Sequence, residues 1–270
     1  MGGYPVKLLI TGGKGMLGRT LQNCNKEDKF FIISVACIIF AIIMRILYYI
    51  KYPVDVRDSF KYKEIIELWI STKKIPNGEG IPPLGLYILK IPTEHFNCDI
   101  IHGGTIMNML LGLCIVSIII QIAKEIVSSN IIIFLIGVIA ATHPSLVDYS
   151  CHMTRENTYL VFFSACTLFL IKYIKKKRWI DLAIASFLSA SAYLCRHEAL
   201  EIVFFMMFII LFSQTQKKLR KIAHVFLFLI TYSISFFVIS YSIGASTEYY
   251  KSYSAFFPKV YDNSVFKMIF

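Results

Sequence analysis

Long apolar runs are the feature that most constrains this chain, because about 20 apolar residues suffice for a helix to cross a bilayer. The first run covers residues 30–50. Further runs cover residues 101–122, 131–142, 157–174, 179–194, 199–212 and 222–243. The run at 131–142 is short enough for a re-entrant segment, although the basic leader argues against one, and the fifth and sixth runs are also short. The pattern predicts an all-α fold, a polytopic membrane helix bundle with about seven spans.

The composition agrees with a membrane protein. Of the 270 residues, 56% are hydrophobic, and the mean hydropathy of +0.62 is far above that of soluble domains. The net charge is +11, which in a soluble protein would indicate nucleic acid. Here the basic residues form short runs between apolar segments, so we expect contact with membrane lipid and no nucleic-acid partner. The seven cysteines show no paired spacing and predict neither a metal site nor a disulfide framework.

The basic residues also predict the orientation. Tight basic runs at residues 175–178 and 217–221 favour a cytoplasmic N-terminus, because positive charge concentrates on the cytoplasmic side. The first outer loop is also basic, but long loops obey this rule weakly. Arg45, near the outer end of the first run, is expected to extend its guanidinium to the membrane surface.

Residues 1–28 have a different character. Residues 6–10 predict a short strand, and residues 11–19, TGGKGMLGR, form a glycine-rich turn of the phosphate-binding kind. Residues 7–21 resemble the start of extended short-chain dehydrogenases, the dTDP-4-dehydrorhamnose reductase group above all. A nucleotide fold needs a complete βαβ unit and a later acidic residue, whereas an apolar run begins at Phe30. We therefore expect residues 1–28 to be a vestigial leader without a cofactor site, not a reductase domain, and residues 29–270 to form the membrane domain.

Ionisable residues at the span ends fall on one side of the predicted membrane, the outer side. They are Asp58, His143, Asp148, Arg155, Glu156, Arg196, His197 and Glu198. Ionisable groups at membrane depth usually mark functional sites. The alternative is that Arg196 and Glu198 only pair with each other in a turn between two helices.

The first outer loop carries a recognisable pattern. Its segments DVRDSFKYKEIIELW and GIPPLGLYIL resemble the first outer loop of GT-C glycosyltransferases, the protein-mannosyltransferase and lipid A aminoarabinose transferase-like group. Asp58 and Tyr62 match the acid and the aromatic residue of that loop, and Pro82 and Pro83 match its helix break. The resemblance covers residues 30–243.

Two later segments extend the resemblance. HPSLVDYSCHMTREN is similar to the family's segment after the third span, and AYLCRHEAL is similar to its Arg-x-Glu turn between later spans. The second match places Arg196 and Glu198 in that turn.

The resemblance implies transfer of a sugar from a polyprenyl-phosphate donor to a glycan, lipid or protein acceptor, on the outer face of a bacterial inner membrane. Such transfer needs a carboxylate that deprotonates the acceptor or holds a cation, and positive charge that stabilises the leaving phosphate. We assign the first role to Asp58, with Asp55 as the competing acid, and the second to Arg196, with Arg155 as the alternative. Substrate-binding roles are assigned to Tyr62, His143, Arg155, Glu156, Arg196 and Glu198. No cofactor is specified, and the use of a divalent cation is left open.

Three further expectations remain. Residues 62–70 are amphipathic, which fits a helix lying in the membrane interface or a loop helix packed on the bundle. Members of the resembled family have more spans, so we expect a C-terminally truncated transferase. An inactive fragment of the transferase and a non-catalytic membrane protein, either a transporter or an assembly factor, are the alternatives. Against the transporter, no internal repeat is evident.

Overall fold

The computed structural model describes residues 16–52, 57–76, 81–212 and 218–245. Within these ranges the chain forms ten α-helices and one 3₁₀ turn, His197–Ala199, with no strand. The helices are α1 (Met16–Lys51), α2 (Arg57–Thr72), α3 (Pro83–Phe96), α4 (Ile100–Ile126), α5 (Asn130–Thr142), α6 (Pro144–Cys151), α7 (Glu156–Lys176), α8 (Trp179–Cys195), α9 (Leu200–Phe212) and α10 (Lys218–Ser242). The all-α prediction is confirmed for the described residues.

Four helical segments are long and apolar enough to cross a membrane. They are Asp28–Lys51 within α1, α4, α7, and Leu219–Ser242 within α10. Helices α5 and α6 are bent by 47° and add a fifth span if the pair crosses together. The bend falls at Pro144, which lacks a backbone N–H and cannot continue the preceding helix. The chain is therefore a multi-pass membrane protein with four to five candidate spans.

Each of the two remaining apolar helices is shorter than a bilayer is thick. Helix α8 has 17 residues and α9 has 13, so they extend about 26 and 20 Å against a hydrocarbon core of about 30 Å. The predicted count of seven spans would require both to cross, and it stays a prediction.

Helix α1 begins at Met16 and continues without interruption to Lys51. The predicted boundary at residue 28 thus falls inside one helix. The predicted strand and most of the glycine-rich turn lie outside the described residues, so the likeness of the leader to a reductase stays a prediction.

Contacts between helix ends define two ends of the bundle. At one end of the bundle, the hydroxyl of Tyr48 on α1 donates to Asp148 of α6 over 2.6 Å, and Arg196 after α8 lies 3.4 Å from Glu156 at the start of α7. At the other end, Lys175 of α7 lies 3.4 Å from Glu125 of α4. We call the first the site end and the second the basic end.

Arg45 corrects one expectation. Its side chain is buried, with 1% of its surface exposed, so the guanidinium lies inside the protein and does not extend out of it. Its Nη1 donates to the carbonyl of Ala41 over 3.1 Å and its Nη2 donates to that of Gly112 on α4 over 3.3 Å. A Cβ at Gly112 would lie 2.9 Å from the Arg45 Nε, so the glycine makes room for the guanidinium. One backbone carbonyl of its own helix and one of α4 therefore replace the water that would otherwise hydrogen-bond to the guanidinium.

Helix α2 packs on the bundle. Tyr62, Ile66 and Trp69 are each at most 4% exposed and share a core cluster with Leu89 of α3 and Met153. The structure therefore shows the alternative of a loop helix packed on the bundle. A position of α2 along the membrane interface stays a prediction.

Candidate active site

Arg196 is the centre of a charged cluster at the site end. It follows α8 in an extended conformation, with φ −151° and ψ 135°, so the chain turns there toward α9. Its Nη2 and Nε donate to the two carboxylate oxygens of Glu198 over 3.0 and 3.4 Å. Its Nη1 donates to Oε1 of Glu156 over 3.4 Å. The predicted Arg196–Glu198 pair thus exists, and Glu156 joins it from another helix.

The ion pair with Arg196 changes the acidity of Glu198. The hydrogen bond from Arg196 lowers the pKa of Glu198 below its ordinary value of 4.5, because a hydrogen bond to the charged form favours that form. The Glu198 side chain is 59% exposed, so solvent screens the pair strongly. The carboxylate is therefore charged near neutral pH and remains accessible to solvent.

Arg155 lies beside this cluster, at the N-terminus of α7. Its Nε is buried and has no hydrogen-bond partner among the described residues. Helix α3 passes close by, because a Cβ at Gly85 would come within 3.4 Å of the Arg155 Cβ and 2.9 Å of the Thr158 Oγ1. The segment that follows Pro82 and Pro83 thus lies directly against the start of α7.

Helix α2 brings Asp58 to the same region. Asp58 is exposed in the first turn of α2, and its neighbour Ser59 is fully buried. The Ser59 hydroxyl donates to the backbone oxygen of Met153 over 3.2 Å. This bond joins the start of α2 to residues 152–155, the segment that leads into α7.

Tyr62 connects Asp58 to the two arginines electrostatically. Burial raises the pKa of the Tyr62 hydroxyl, and the charges of Arg155, Glu156, Asp58 and Arg196 all act on it. Charges from α2, α7 and the turn after α8 therefore all act on one phenol. The ring itself is only 4% exposed and packs in the core, so its observed contacts are structural.

Asn108 of α4 holds the connecting segment 152–155 from the inside. Its buried Nδ2 donates to the backbone oxygens of His152 and Thr154, both over 2.6 Å. Gly104, one turn earlier, leaves the space that Met153 fills. The backbone that precedes Arg155 is thus fixed by hydrogen bonds from α2 and α4.

Asp148 belongs to a second polar group next to the cluster. It accepts a hydrogen bond from Tyr48 over 2.6 Å, and its Oδ1 lies 3.4 Å from the Nε2 of His152. His143 lies apart, exposed at the bend between α5 and α6. Among the described residues no hydrogen bond or ion pair joins His143 to the Arg196 cluster, so its predicted role in substrate binding stays untested.

Two predictions cannot be located at this site. Asp55, the competing acid, lies outside the described residues. In the described part of the chain, no group of three or more His, Cys, Asp or Glu side chains is arranged to hold a metal ion.

An elongated cavity of about 460 Å³ opens beside Glu198, between α7 and α9. Tyr159, Glu198 and Glu201 line it close to the cluster, whereas Leu170 and Met206 line it further along. The step from Tyr159 to Leu170 corresponds to about 16 Å of helix. The cavity therefore leads from charged groups into an apolar interior, a shape that suits a ligand with a polar head and an apolar tail.

The structure thus brings together Asp58, Tyr62, Arg155, Glu156, Arg196 and Glu198. No sequence pattern indicated Asn108 or Tyr48, which look like ordinary residues of apolar helices. His152 carried a weak signal, because it stands four residues after Asp148, a spacing that places two side chains on one helix face.

The fold and the site together define a class of protein, a multi-pass membrane protein with one charged site at an end of its helix bundle. Residues 81–242, more than half of the chain, match the model of a family described as dolichyl-phosphate-mannose-protein mannosyltransferase. The chain belongs to this family, which supports a membrane glycosyltransferase. No curated protein matches the chain. The family match includes Arg155, Glu156, Arg196 and Glu198, whereas Asp58 lies before it.

Proposed function

We propose that the protein transfers a sugar from a polyprenyl-phosphate donor to a hydroxyl of an acceptor at the outer face of the membrane. The observation that supports this most is the contact of Arg196 with Glu156 and Glu198, from separate segments, beside an apolar cavity that Glu198 lines. The family match supports glycosyl transfer in general. The donor, the outer face and the residue roles are our proposal.

The reaction needs one base and one anion site. The oxygen of the acceptor attacks the anomeric carbon of the sugar while the carboxylate of Asp58 takes the proton of that hydroxyl. The bond from the anomeric carbon to the phosphate oxygen breaks, and polyprenyl phosphate leaves with the electron pair. Asp58 suits the role of base because it is exposed at the start of α2 and can meet an acceptor that arrives from solvent.

The leaving phosphate needs hydrogen-bond donors. Arg155 has a buried Nε without a partner among the described residues, so it can donate without first losing a bond. Arg196 must release Glu198 in order to bind the phosphate. The free-energy cost of this release is small, because Glu198 is exposed and solvent screens the pair. We propose that the two arginines hold the phosphate together, because arginine forms paired hydrogen bonds with phosphate oxygens. The apolar tail of the donor occupies the cavity between α7 and α9.

The test is transfer from a polyprenyl-phosphate sugar in membranes, with expression levels matched. Asp58→Asn preserves size and removes the base, so we expect a loss of about 100-fold or more. Asp55→Asn should have a much smaller effect, because only Asp58 has Tyr62 one helical turn away. Glu67→Gln is the matched control, since Glu67 lies exposed on the same helix.

Three outcomes would contradict the proposal. If Asp55→Asn abolishes transfer and Asp58→Asn retains it, the base is Asp55. If neither change matters, the assignment of a base to α2 is wrong. If the wild-type chain transfers no sugar while a full-length relative does, the alternative of an inactive fragment is correct.

A further inference from the structure

The cavity between α7 and α9 has a definite length as well as a volume of about 460 Å³. On α7 its lining includes Tyr159, Phe163, Thr167 and Leu170, which are three or four positions apart and lie on one face of the helix. The cavity thus runs along the helix axis. The rise from Tyr159 to Leu170 gives it a length of about 16 Å.

Core side chains close the end of the cavity that is furthest from the charged cluster. Leu170 and Met206 line that end and are 6 and 0% exposed. Tyr173 and Ile210 belong to the same cluster of buried residues, so they fill the space beyond. A chain that enters beside Tyr159 therefore ends its path along α7 at Leu170.

The side of the cavity is open to the surroundings at two aromatic residues. Phe163 of α7 and Phe205 of α9 both line the cavity, and 37 and 62% of their surfaces are exposed. Phe163 lies within a candidate membrane span, so its exposed surface faces acyl chains. The part of a tail that the cavity does not hold can therefore leave sideways into the bilayer.

The charged end of the cavity determines where the phosphate of a ligand lies. The guanidinium carbon of Arg196 is 5.8 Å from the ring centroid of Tyr159, the first cavity residue on α7. Glu201 also lines this end, but it is exposed, so solvent screens its charge. A phosphate bound to Arg196 thus places the first carbons of its tail beside the ring of Tyr159.

The length of the cavity corresponds to a small number of isoprene units. Each unit adds four bonds of about 1.5 Å to the chain and extends over about 5 Å, because the bonds zigzag. A cavity of about 16 Å therefore holds about three units. Its volume agrees with such a short segment, since it lies near the lower limit of small-ligand pockets, about 300–1,000 Å³.

We infer that the cavity recognises the three isoprene units next to the phosphate and none beyond them. The inference rests on the proposed function, since it concerns the donor tail of that reaction. The remaining units lie in the bilayer, where lipid tails surround them as favourably as apolar side chains would. The affinity of a donor is therefore independent of its length beyond three units.

Binding of sugar-free prenyl phosphates with two, three, four and six isoprene units tests the inference. The purified protein is placed in phosphatidylcholine nanodiscs, and each dissociation constant is expressed as a mole fraction of the membrane, so that partitioning from water cancels. We expect the three-unit phosphate to bind about fivefold more tightly than the two-unit phosphate, because the added unit gains packing contacts in the cavity. The four- and six-unit phosphates should bind within about twofold of the three-unit phosphate.

Two tryptophan variants separate the cavity from the surrounding bilayer. Thr167 lines the cavity about 12 Å along α7 from Tyr159, so Thr167→Trp fills the inner part and leaves room for about two units. This variant should bind the two-unit phosphate as the wild type does and gain nothing from a third unit. Phe204→Trp is the matched control, because Phe204 is exposed on α9 outside the cavity lining, and it should retain the gain.

The possible outcomes separate this inference from the proposed function. Affinity that keeps rising from three to six units, or a gain for the third unit that persists in Thr167→Trp, would overturn the inference and leave the proposed function standing. Equal displacement of the three-unit phosphate by phosphatidic acid would also overturn it, because the cavity would then accept lipid tails in general. Binding of no prenyl phosphate by the wild type would contradict the proposed donor itself. If Thr167→Trp does not fold, the length series of the wild type decides alone.

Discussion

Glu156 and Arg196 are 40 residues apart in the chain, yet Oε1 of Glu156 accepts a hydrogen bond from Nη1 of Arg196 over 3.4 Å. The contact joins the start of α7 to the turn between α8 and α9. Both side chains are partly buried, with 21 and 28% of their surfaces exposed, so solvent screens this pair less than a surface pair. It defines the geometry on which the proposed phosphate site depends.

Arg196→Lys should lower transfer about tenfold or more. Lysine retains the charge but replaces a planar fork by a single ammonium, so it cannot hold Glu156 and form paired hydrogen bonds with a phosphate. The measurement is the rate of transfer in membranes, and Arg220→Lys, an exposed site on α10, is the control. Full activity of Arg196→Lys would leave Arg155 as the sole phosphate ligand.

Glu198→Gln should change the pH dependence of stability. The pKa of Glu198 is lowered by Arg196, so the ion pair stabilises the folded state above the ordinary value of 4.5 and loses this effect as pH falls through the lowered pKa. Thermal unfolding in detergent should show a small difference between wild type and variant at pH 6 that disappears in strong acid. A difference that grows on acidification would show that the pair has the opposite effect.

Asn108→Ala should destabilise the fold. The change leaves two buried backbone oxygens, those of His152 and Thr154, without their donor, at a cost of about 2 kcal/mol or more. Unfolding in detergent measures the loss. Ser117→Ala on the same helix is the control, because its hydroxyl bonds only to Leu113 of its own helix. Equal losses of unfolding free energy in the two variants would show that the hydrogen bonds from Asn108 stabilise the fold no more than one within a single helix.

Gly85→Ala should impair both packing and transfer. Its Cβ would come within 2.9 Å of the Thr158 Oγ1, and such overpacking costs about 1–3 kcal/mol. The damage should shrink when Thr158→Ala supplies the space, which a double-mutant cycle of unfolding free energies detects. Additive effects would show that the two positions do not meet.

The proposed orientation is tested by cysteine labelling in intact cells, in a variant without native cysteines. Glu64 on α2 and Lys176 at the end of α7 are both exposed, whereas Ser59 is buried and unsuitable for labelling. We expect a membrane-impermeant reagent to label Glu64→Cys and not Lys176→Cys. Labelling of Lys176→Cys alone would show that the orientation is the reverse of the proposed one. Labelling of both variants would contradict the separation of the two ends across the membrane.

The sequence by itself determined the apolar helices and their order. Each predicted apolar run coincides with a helix, because hydropathy and helix breaks such as Pro144 are properties of a short stretch of chain. The same local information predicted Asp58, Arg155 and Arg196 on one side of the membrane, since each crossing reverses the direction of the chain.

Tertiary structure alone decided which polar groups meet. Arg45 had to be assigned to the surface from its position near a span end, and only the approach of Gly112 shows why its guanidinium remains inside. Asn108 and Tyr48 acquire their partners from α6 and the segment after it, 40 or more residues away. Such contacts depend on how closely two backbones pack, which is set by the shapes of both helices at once and by no single stretch of sequence.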